Sequence, residues 1–307
     1  MFLAVLSMTA YFLRFITGLF ICSLVMGSCV GEISAQNKRA LLIGISNYRG
    51  SSVKSADEWD NIHGANDVVL LTPTLKRHGF KISQLTNEKA TATGIRAALS
   101  KFLSSCNQGD IVYLHFSCHG QPVEDLDGDE PDGWDEAIVP YDAYKVYQEG
   151  KYTGENHIID DELNKILLTI RTKVGASGFV NVVIDACHAG SSYRGAEDND
   201  SVIVRGTNRG FSATGKMFVP KIDKRSRIRV EQSKGMSDIC LMEACRSYQV
   251  NNEIKENGVY YGSLSFYVNK VLQNTSDLRS SWHNDVKRMM SNDSRLIRQN
   301  VVIETSY

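Results

Sequence analysis

Apolar and polar residues alternate in blocks that predict strands and helices in turn. Near-continuous apolar runs predict strands at 39–48, 81–85, 109–120, 178–187, 237–245 and 298–305. Helical spacing of apolar residues predicts helices at 64–80, 91–103, 160–170 and 262–274, with Thr91 as the N-cap of the second. Because the strands are apolar on both faces and alternate with helices, we expect an α/β fold with a mostly parallel central sheet and helices on both faces.

Two long stretches interrupt this alternation. Residues 121–157 are acidic and aromatic, and residues 191–236 hold ten lysines and arginines between Arg194 and Lys234 with little periodicity. Irregular stretches of this length inside a compact domain are usually functional or disordered. We call the second stretch, 191–236, the basic loop.

The first 35 residues differ from the rest of the chain. An apolar run from Phe15 to Met26 is followed by small residues, which predicts a secretory signal with a cleavage site after Ile33-Ser34-Ala35. Cys29 also loosely matches a lipoprotein cleavage box. The alternative is an uncleaved membrane anchor over 13–30. We therefore expect export to the periplasm, to the cell envelope as a lipoprotein, or out of the cell, with membrane attachment only through this leader.

Charge and cysteine content narrow the classes of function. The 307-residue chain has a formal net charge of −1, so no overall field attracts nucleic acid, and we expect no nucleic-acid partner. Of its seven cysteines, two lie in the leader, and the other five form neither a disulfide framework nor a zinc-ligand spacing. One use of a cysteine remains possible, namely a single nucleophilic thiol paired with a distant histidine.

The stretches HFSCHG and VVIDACHAGSS each follow an apolar run. Their polar residues are therefore expected beyond the carboxyl ends of strands, where open parallel sheets bind ligands. A cysteine nucleophile needs a group that takes its proton and later protonates the departing amine, and histidine does both near neutral pH. His119 and Cys187 are the candidates. Taken singly, each also fits an ordinary structural residue, and their pairing favours catalysis.

These two motifs resemble the caspase-like peptidases (peptidase C14), and most closely the metacaspases and bacterial caspase homologues. The resemblance spans 38–303 and implies a three-layer caspase-like fold with a large part at 38–190, the basic loop at 191–236 and a small part at 237–303. Further similar stretches are IHGANDVVLL, DLDGDEPDGWDEAIVPYD, IIDDEL, ACRSYQ and GSLSFYV.

The resemblance implies roles for individual residues. Cys187 is the expected nucleophile and His119 its acid–base partner, while Asp67 and Asp185 match the acidic pair that selects Arg or Lys before the scissile bond. Buried carboxylates are costly without a cation, which agrees with a cationic substrate side chain. The alternatives are a turn-capping role for Asp185 and a first-turn helix carboxylate for Asp67. Cys118 stands where the family usually has glycine, and it is a rival thiol.

The resemblance requires no cofactor for the chemistry, but it suggests an activating calcium ion. Asp135, Asp160 and Asp161 match acidic positions that bind calcium in several metacaspases, and hard oxygen ligands suit that ion. The family's further aspartate falls on Arg194, where a cation would repel the metal. The alternative is a solvated acidic loop.

The expected function is an exported cysteine endopeptidase acting on polypeptides after Arg or Lys. A catalytically silent caspase-like binding module is the main alternative, and a gingipain- or clostripain-like relative is another. Such an enzyme would also find substrates in its own basic loop, unless that loop is merely a solvated charged segment. The candidate self-cleavage positions are Arg194, Arg205, Arg209, Lys216 and Lys234.

Overall fold

The computed structural model describes residues 36–50, 55–128, 130, 132–187, 203–220, 222, 228–230 and 232–307, and residues 37–307 form one compact unit. Twelve strands and five α-helices are defined in this part of the chain. The strands are β1 Lys38–Gly44, β2 Phe80–Thr86, β3 Ile111–Ser117, β4 His119–Glu124, β5 Trp134–Val139, β6 Ile158–Ile159, β7 Phe179–Asp185, β8 Ile228–Arg229, β9 Asp238–Glu243, β10 Glu253–Glu256, β11 Val259–Gly262 and β12 Val302–Thr305. The helices are α1 Gly64–Arg77, α2 Ala92–Ser105, α3 Asp160–Val174, α4 Ser263–Leu272 and α5 Trp282–Ser291.

Seven strands form the central sheet in the order β2-β1-β3-β7-β9-β12-β8. Strands β2, β1, β3, β7 and β9 run parallel, and β12 runs antiparallel to β9. A three-stranded sheet, β4-β5-β6, and the β10-β11 hairpin lie outside it. The mostly parallel central sheet predicted from the apolar runs is confirmed.

Both faces of the central sheet are covered by helices. Along β1, Leu41 and Ile43 belong to one apolar core and Ala40 and Leu42 to the other, because successive side chains of a strand point to opposite faces. Helices α2 and α3 complete the first core, while α1, α4 and α5 complete the second. The result is the expected three-layer α/β architecture.

The structure corrects one predicted strand. The run 109–120 was expected to be continuous, but β3 ends at Ser117, which lies opposite Asp185 at the end of β7. His119 instead begins β4, which leaves the central sheet and pairs with β5. His119 is therefore the first residue of a new strand rather than the end of the apolar one.

The predicted helices are present, and some elements escaped the apolar pattern. Thr91 caps its helix by accepting a hydrogen bond from the Gly94 N–H, as expected. The β10-β11 hairpin turns at Asn257 and Gly258, whose φ angles of 51° and 83° suit an Asn-Gly turn, a sequence signal that the pattern of apolar residues overlooks. Helix α5 and strand β5 were also missed.

In the part of the chain that the structure describes, none of the helices is long and apolar enough to cross a membrane. The predicted leader over 1–35 lies outside the described residues.

Candidate active site

The end of the central sheet brings the two candidate catalytic residues to one locality. Strands β3 and β7 are parallel neighbours whose last residues, Ser117 and Asp185, lie opposite each other. His119 and Cys187 each follow two residues later. The chain thus leaves both strands at the same edge of the sheet, which is the carboxyl edge expected for Cys187.

His119 is held in one orientation by aromatic rings and a main-chain carbonyl. Its ring stacks on Trp59 at 4.8 Å between centroids, and its Nε2 lies 2.9 Å from the Asp60 carbonyl oxygen. Because a carbonyl only accepts, Nε2 carries the proton and Nδ1 keeps its lone pair. Nδ1 is buried and has no hydrogen-bond partner among the residues that the structure describes. Burial lowers the pKa of His119 to about 3, so the imidazole is neutral at pH 7.

Cys187 is buried beside a second thiol. Its Sγ donates to the Gln249 carbonyl oxygen at 2.9 Å, and the Cys245 Sγ lies 3.4 Å from it. The hydrogen bond to Cys187 and burial together raise the pKa of Cys245 well above its usual value. The rival Cys118 is packed in an apolar core, and burial raises its pKa to about 12, which keeps it a neutral thiol.

A segment of the basic loop lies between the histidine and the cysteine strands. The Arg205 carbonyl oxygen accepts from the Cys187 N–H at 2.9 Å and from the Gly120 N–H at 3.4 Å. The next residue, Gly206, forms parallel bridges with both Gly120 and Cys187. The carbonyl of the peptide bond between Arg205 and Gly206 thus has two main-chain donors, one from Cys187 and one from the residue that follows His119.

The same segment pairs as an antiparallel strand with residues 251–253. The Arg205 N–H donates to the Asn251 carbonyl at 3.0 Å, and the Glu253 N–H donates to the Ile203 carbonyl at 2.9 Å. Val204 forms an antiparallel bridge with Asn252 between these two bonds. Such main-chain pairing is how extended peptides add to the edge of a strand.

The Arg205 side chain fills a closed acidic pocket. Its Nη1 lies 2.8 Å from Asp67 Oδ2 and 3.6 Å from Asp185 Oδ1, and its Nη2 lies 2.9 Å from Glu253 Oε1. All four side chains are fully buried. The two aspartates that the resemblance assigns to one specificity pocket do meet there, and an arginine of the chain itself occupies it.

Neighbouring polar groups complete the pocket. Ser117 Oγ donates to Asp67 Oδ2 at 2.6 Å and also accepts from Arg205 Nη1 at 2.6 Å. Asp185 accepts from Asn251 Nδ2 and from Ser265, each at 2.7 Å. Each carboxylate therefore has neutral donors besides the guanidinium, which holds it in place.

The charges in the pocket perturb one another. Burial raises the pKa of Asp67 to about 7, with Arg205 opposing the rise and Asp185 adding to it. For Asp185, burial raises the pKa, but Arg205 and the donors from Asn251 and Ser265 outweigh it and leave the pKa below its usual value. The same carboxylates raise the pKa of Arg205 despite its burial. The guanidinium thus favours the ionised forms of Asp67 and Asp185, whose pKa values it lowers.

Two glycines leave the room that the segment needs. A Cβ on Gly206 would collide with the main-chain carbonyl of Cys187, and one on Gly262 would collide with the Asp185 carboxylate and the Arg205 guanidinium. Side chains at these two positions are therefore incompatible with the observed arrangement.

Sequence reasoning missed several of these groups. Glu253 was not singled out, because nothing in its local sequence links it to a pocket formed by distant segments. The Asp60 carbonyl and Trp59 were missed for the same reason. Arg205 was one of five equivalent basic candidates. Of the others, Arg194 lies outside the described residues, Arg209 pairs with Asp57, the Lys216 ammonium donates to the Gly133 carbonyl, and Lys234 is exposed.

The three aspartates proposed for calcium have other partners. Asp160 Oδ1 accepts from the Glu136 N–H at 3.2 Å, and Asp161 pairs with Lys165 at 2.8 Å. Asp135 lies on β5 and is largely buried. Within the described ranges, no three acidic, histidine or cysteine side chains are close enough together to hold a metal ion. The described residues thus show no assembled calcium site, calcium dependence stays a prediction, and no step of the chemistry is assigned to the ion.

Known proteins resemble this chain in sequence. The family model described as the caspase domain matches residues 37–305. Metacaspase-1 of Eremothecium gossypii is 28% identical over 276 residues, covering 77% of this chain and 57% of the relative; Metacaspase-1B of Aspergillus fumigatus is 28% identical over 283 residues, covering 80% and 63%. The chain thus spans only about 60% of these relatives' length.

Two solved structures share the fold. Protein GSU0716 from Geobacter sulfurreducens superposes with a TM-score of 0.56 at 21% identity, covering 88% of this chain and 93% of that one. Caspase-1 from Spodoptera frugiperda gives a TM-score of 0.50 at 13% identity, with 88% of each chain covered. At these identities, the likeness is one of fold.

Proposed function

Because the chain belongs to the caspase-domain family, with the family model matching residues 37–305, we propose that it is a cysteine endopeptidase that cleaves after arginine. One observation carries the proposal. Arg205 fills the acidic pocket while its carbonyl oxygen accepts from the N–H groups of Cys187 and Gly120. A substrate arginine bound in this way would offer its carbonyl carbon to Cys187, with the developing oxyanion held by those two donors.

The proposed chemistry uses the two dyad residues in turn. His119 Nδ1 takes the proton of the Cys187 thiol, and the thiolate attacks the arginine carbonyl to form a tetrahedral oxyanion. The imidazolium then gives its proton to the departing amine, the C–N bond breaks, and an acyl-enzyme thioester forms. His119 then deprotonates a water molecule that attacks the thioester, the C–S bond breaks, and the imidazolium returns its proton to the Cys187 sulfur. The Asp60 carbonyl, bonded to Nε2, keeps the ring in the required tautomer throughout.

We further propose that the enzyme cleaves itself after Arg205. The bond between Arg205 and Gly206 lies where a substrate bond would lie, and Arg205 blocks the pocket against other substrates until it leaves. The uncleaved chain is therefore latent towards peptides. The Cys187 thiol, now bonded to the Gln249 carbonyl, turns towards the substrate carbonyl for the reaction.

The experiment compares wild type, Cys187→Ala and the matched control Cys118→Ala. Intact-mass and N-terminal analysis should find wild type and Cys118→Ala cut to give a new terminus at Gly206, with Cys187→Ala uncut. A fluorogenic Ile-Val-Arg amide should be turned over only by the two cut proteins, and parallel assays with calcium or a chelator test the calcium dependence. If folded wild type shows neither self-cleavage nor peptide turnover, the catalytically silent binding module is favoured. Cutting in Cys187→Ala would exclude self-cleavage by this thiol.

Export is part of the same proposal. The apolar run in the first 35 residues supports a secretory leader. N-terminal analysis of the protein recovered from the cell envelope and the medium tests it. A mature terminus near residue 36, or a lipidated Cys29, supports export, whereas an intact Met1 in the cytoplasmic fraction contradicts it.

A further inference from the structure

We infer that Glu253, the third carboxylate of the acidic pocket, makes the enzyme select arginine over lysine. This inference rests on the proposed function, since it concerns which basic residue that site accepts. Glu253 is the first residue of β10 and belongs to the carboxyl-terminal part of the chain, far in sequence from Asp67 and Asp185.

The three carboxylates contact different edges of the Arg205 guanidinium. Asp67 and Asp185 face Nη1, at 2.8 Å and 3.6 Å. Glu253 faces the opposite edge, where its Oε1 accepts from Nε at 3.0 Å and from Nη2 at 2.9 Å. Only arginine carries donors on both edges, because its five N–H groups are arranged in a fixed planar fork.

Glu253 is held in this position independently of the bound arginine. Its Oε1 also accepts from the His63 N–H at 2.7 Å, and its Oε2 lies 2.5 Å from His63 Nδ1. His63 immediately precedes α1, which carries Asp67, and its ring stacks on Tyr260 of β11. The start of one helix therefore positions carboxylates on both sides of the pocket.

A lysine in this pocket has a single ammonium and no Nε. Placed against Asp67 and Asp185, it leaves the buried Glu253 without its charged partner, and placed against Glu253 it leaves the two aspartates without theirs. Burying a carboxylate without a guanidinium beside it is unfavourable even where neutral donors remain, so the pocket should discriminate against lysine. Losing charged hydrogen bonds of this kind corresponds to a difference of about 10-fold to 100-fold in binding the transition state.

Glu253 contacts the main chain of the bound segment as well as the arginine side chain. Its N–H donates to the Ile203 carbonyl, two residues before the arginine. The residue that binds the Nε edge thus also holds the backbone of the extended peptide. An arginine-ending peptide should therefore need at least three residues before the scissile bond to be fully bound.

The test compares kcat/KM for Ile-Val-Arg and Ile-Val-Lys fluorogenic amides. The enzyme is made from the full chain and used after self-cleavage, with both fragments retained. Wild type should prefer arginine by about 10-fold to 100-fold. Glu253→Gln, which removes the charge at nearly constant shape, should reduce that preference to below about threefold, mainly by lowering the arginine rate. Glu256→Gln, on the same strand but with a carboxylate that is 41% exposed, is the matched control and should keep the wild-type ratio.

Each outcome separates the inference from the proposed function. Equal rates on both peptides in wild type, or an unchanged ratio in folded Glu253→Gln, overturn the inference while leaving the endopeptidase intact. Hydrolysis of neither peptide by wild type overturns the proposed function instead. If Glu253→Gln does not fold, Arg205→Lys in the otherwise wild-type chain gives the answer. Self-cleavage of Arg205→Lys should be slower than that of wild type by about 10-fold to 100-fold. An equal rate would overturn the inference.

Discussion

Removing the internal cation should destabilise the uncleaved protein strongly. The variant is Arg205→Gln, made in a Cys187→Ala background so that no self-cleavage intervenes. The substitution leaves Asp67, Asp185 and Glu253 buried with no guanidinium between them. Those carboxylates keep their neutral hydrogen-bond donors, but they lose the guanidinium that offsets their mutual repulsion.

The size of the effect depends on the burial of the group. Removing one partner from a buried ion pair typically costs about 3–5 kcal/mol, because it leaves an uncompensated charge. The pKa of Asp67 is already about 7, so this carboxyl takes up a proton readily once Arg205 is gone, which limits the loss. We therefore expect about 3 kcal/mol at pH 7, which corresponds to a Tm lower by about 6–12 °C in a domain of this size.

Thermal and urea unfolding of the two Cys187→Ala proteins measure this difference. Arg209→Gln in the same background is the control, because Arg209 lies in the same loop and pairs with Asp57, yet the two side chains are 47% and 59% exposed. Exposed pairs contribute only about 0–1 kcal/mol, so the control should unfold within about 4 °C of its parent. If Arg205→Gln has the same Tm and urea midpoint as the control, the pocket is not organised around this cation and the reasoning is wrong.

Three further changes test other parts of the molecule. Gly262→Ala should reduce kcat/KM for an arginine peptide at least about 10-fold, because its methyl group would occupy the space beside the Asp185 carboxylate. His157→Gln should reduce acid sensitivity: burial lowers the pKa of His157 to about 4 from its usual 6.5, so the unfolded chain binds the extra proton and stability falls as pH drops below 6.5. Between pH 7 and 5 this histidine costs wild type about 2 kcal/mol, a loss that urea unfolding should find missing in the variant. Trp59→Leu removes the ring stacked on His119 and should lower kcat about 10-fold with little change in KM, and the pH profile should shift because the imidazole becomes better solvated.

Each of these three expectations has a contrary outcome. Arginine-peptide hydrolysis by Gly262→Ala within twofold of wild type would show that the pocket has more room than the structure describes. An equal loss of stability between pH 7 and 5 in wild type and His157→Gln would mean that His157 is not held neutral. A Trp59→Leu enzyme with a changed KM but an unchanged kcat and pH profile would place the tryptophan in substrate binding rather than in positioning His119.

The fold was largely predictable because its determinants are local. The runs at 39–48 and 178–187 are apolar on both faces, and only a sheet covered on both sides buries them. The end of the 109–120 run was not predictable in this way, since the apolar character continues to Phe116 while the break at Ser117 depends on where the neighbouring strand stops. The Asn257-Gly258 turn was available to sequence reasoning through turn chemistry rather than through periodicity.

The candidate site was predictable only where a residue follows a recognisable strand. Cys187 and Asp185 lie beside the apolar run of β7, so their place in the fold comes with the strand. Glu253 reaches the pocket from a short hairpin, and no spacing in the sequence relates it to Asp67. Arg205 has the same chemistry as every other arginine of the basic loop, and only the path of the folded chain distinguishes it.

The acceptor that fixes the imidazole of His119 is a main-chain oxygen, that of Asp60. Any amino acid at this position supplies the same atom, so an alanine scan across 57–63 would pass over it, and aligned homologues could differ freely there without losing it. What evolution must preserve is the course of the backbone through this loop. Comparing the amino-acid types at this position does not reveal a functional group of this kind, and only coordinates do.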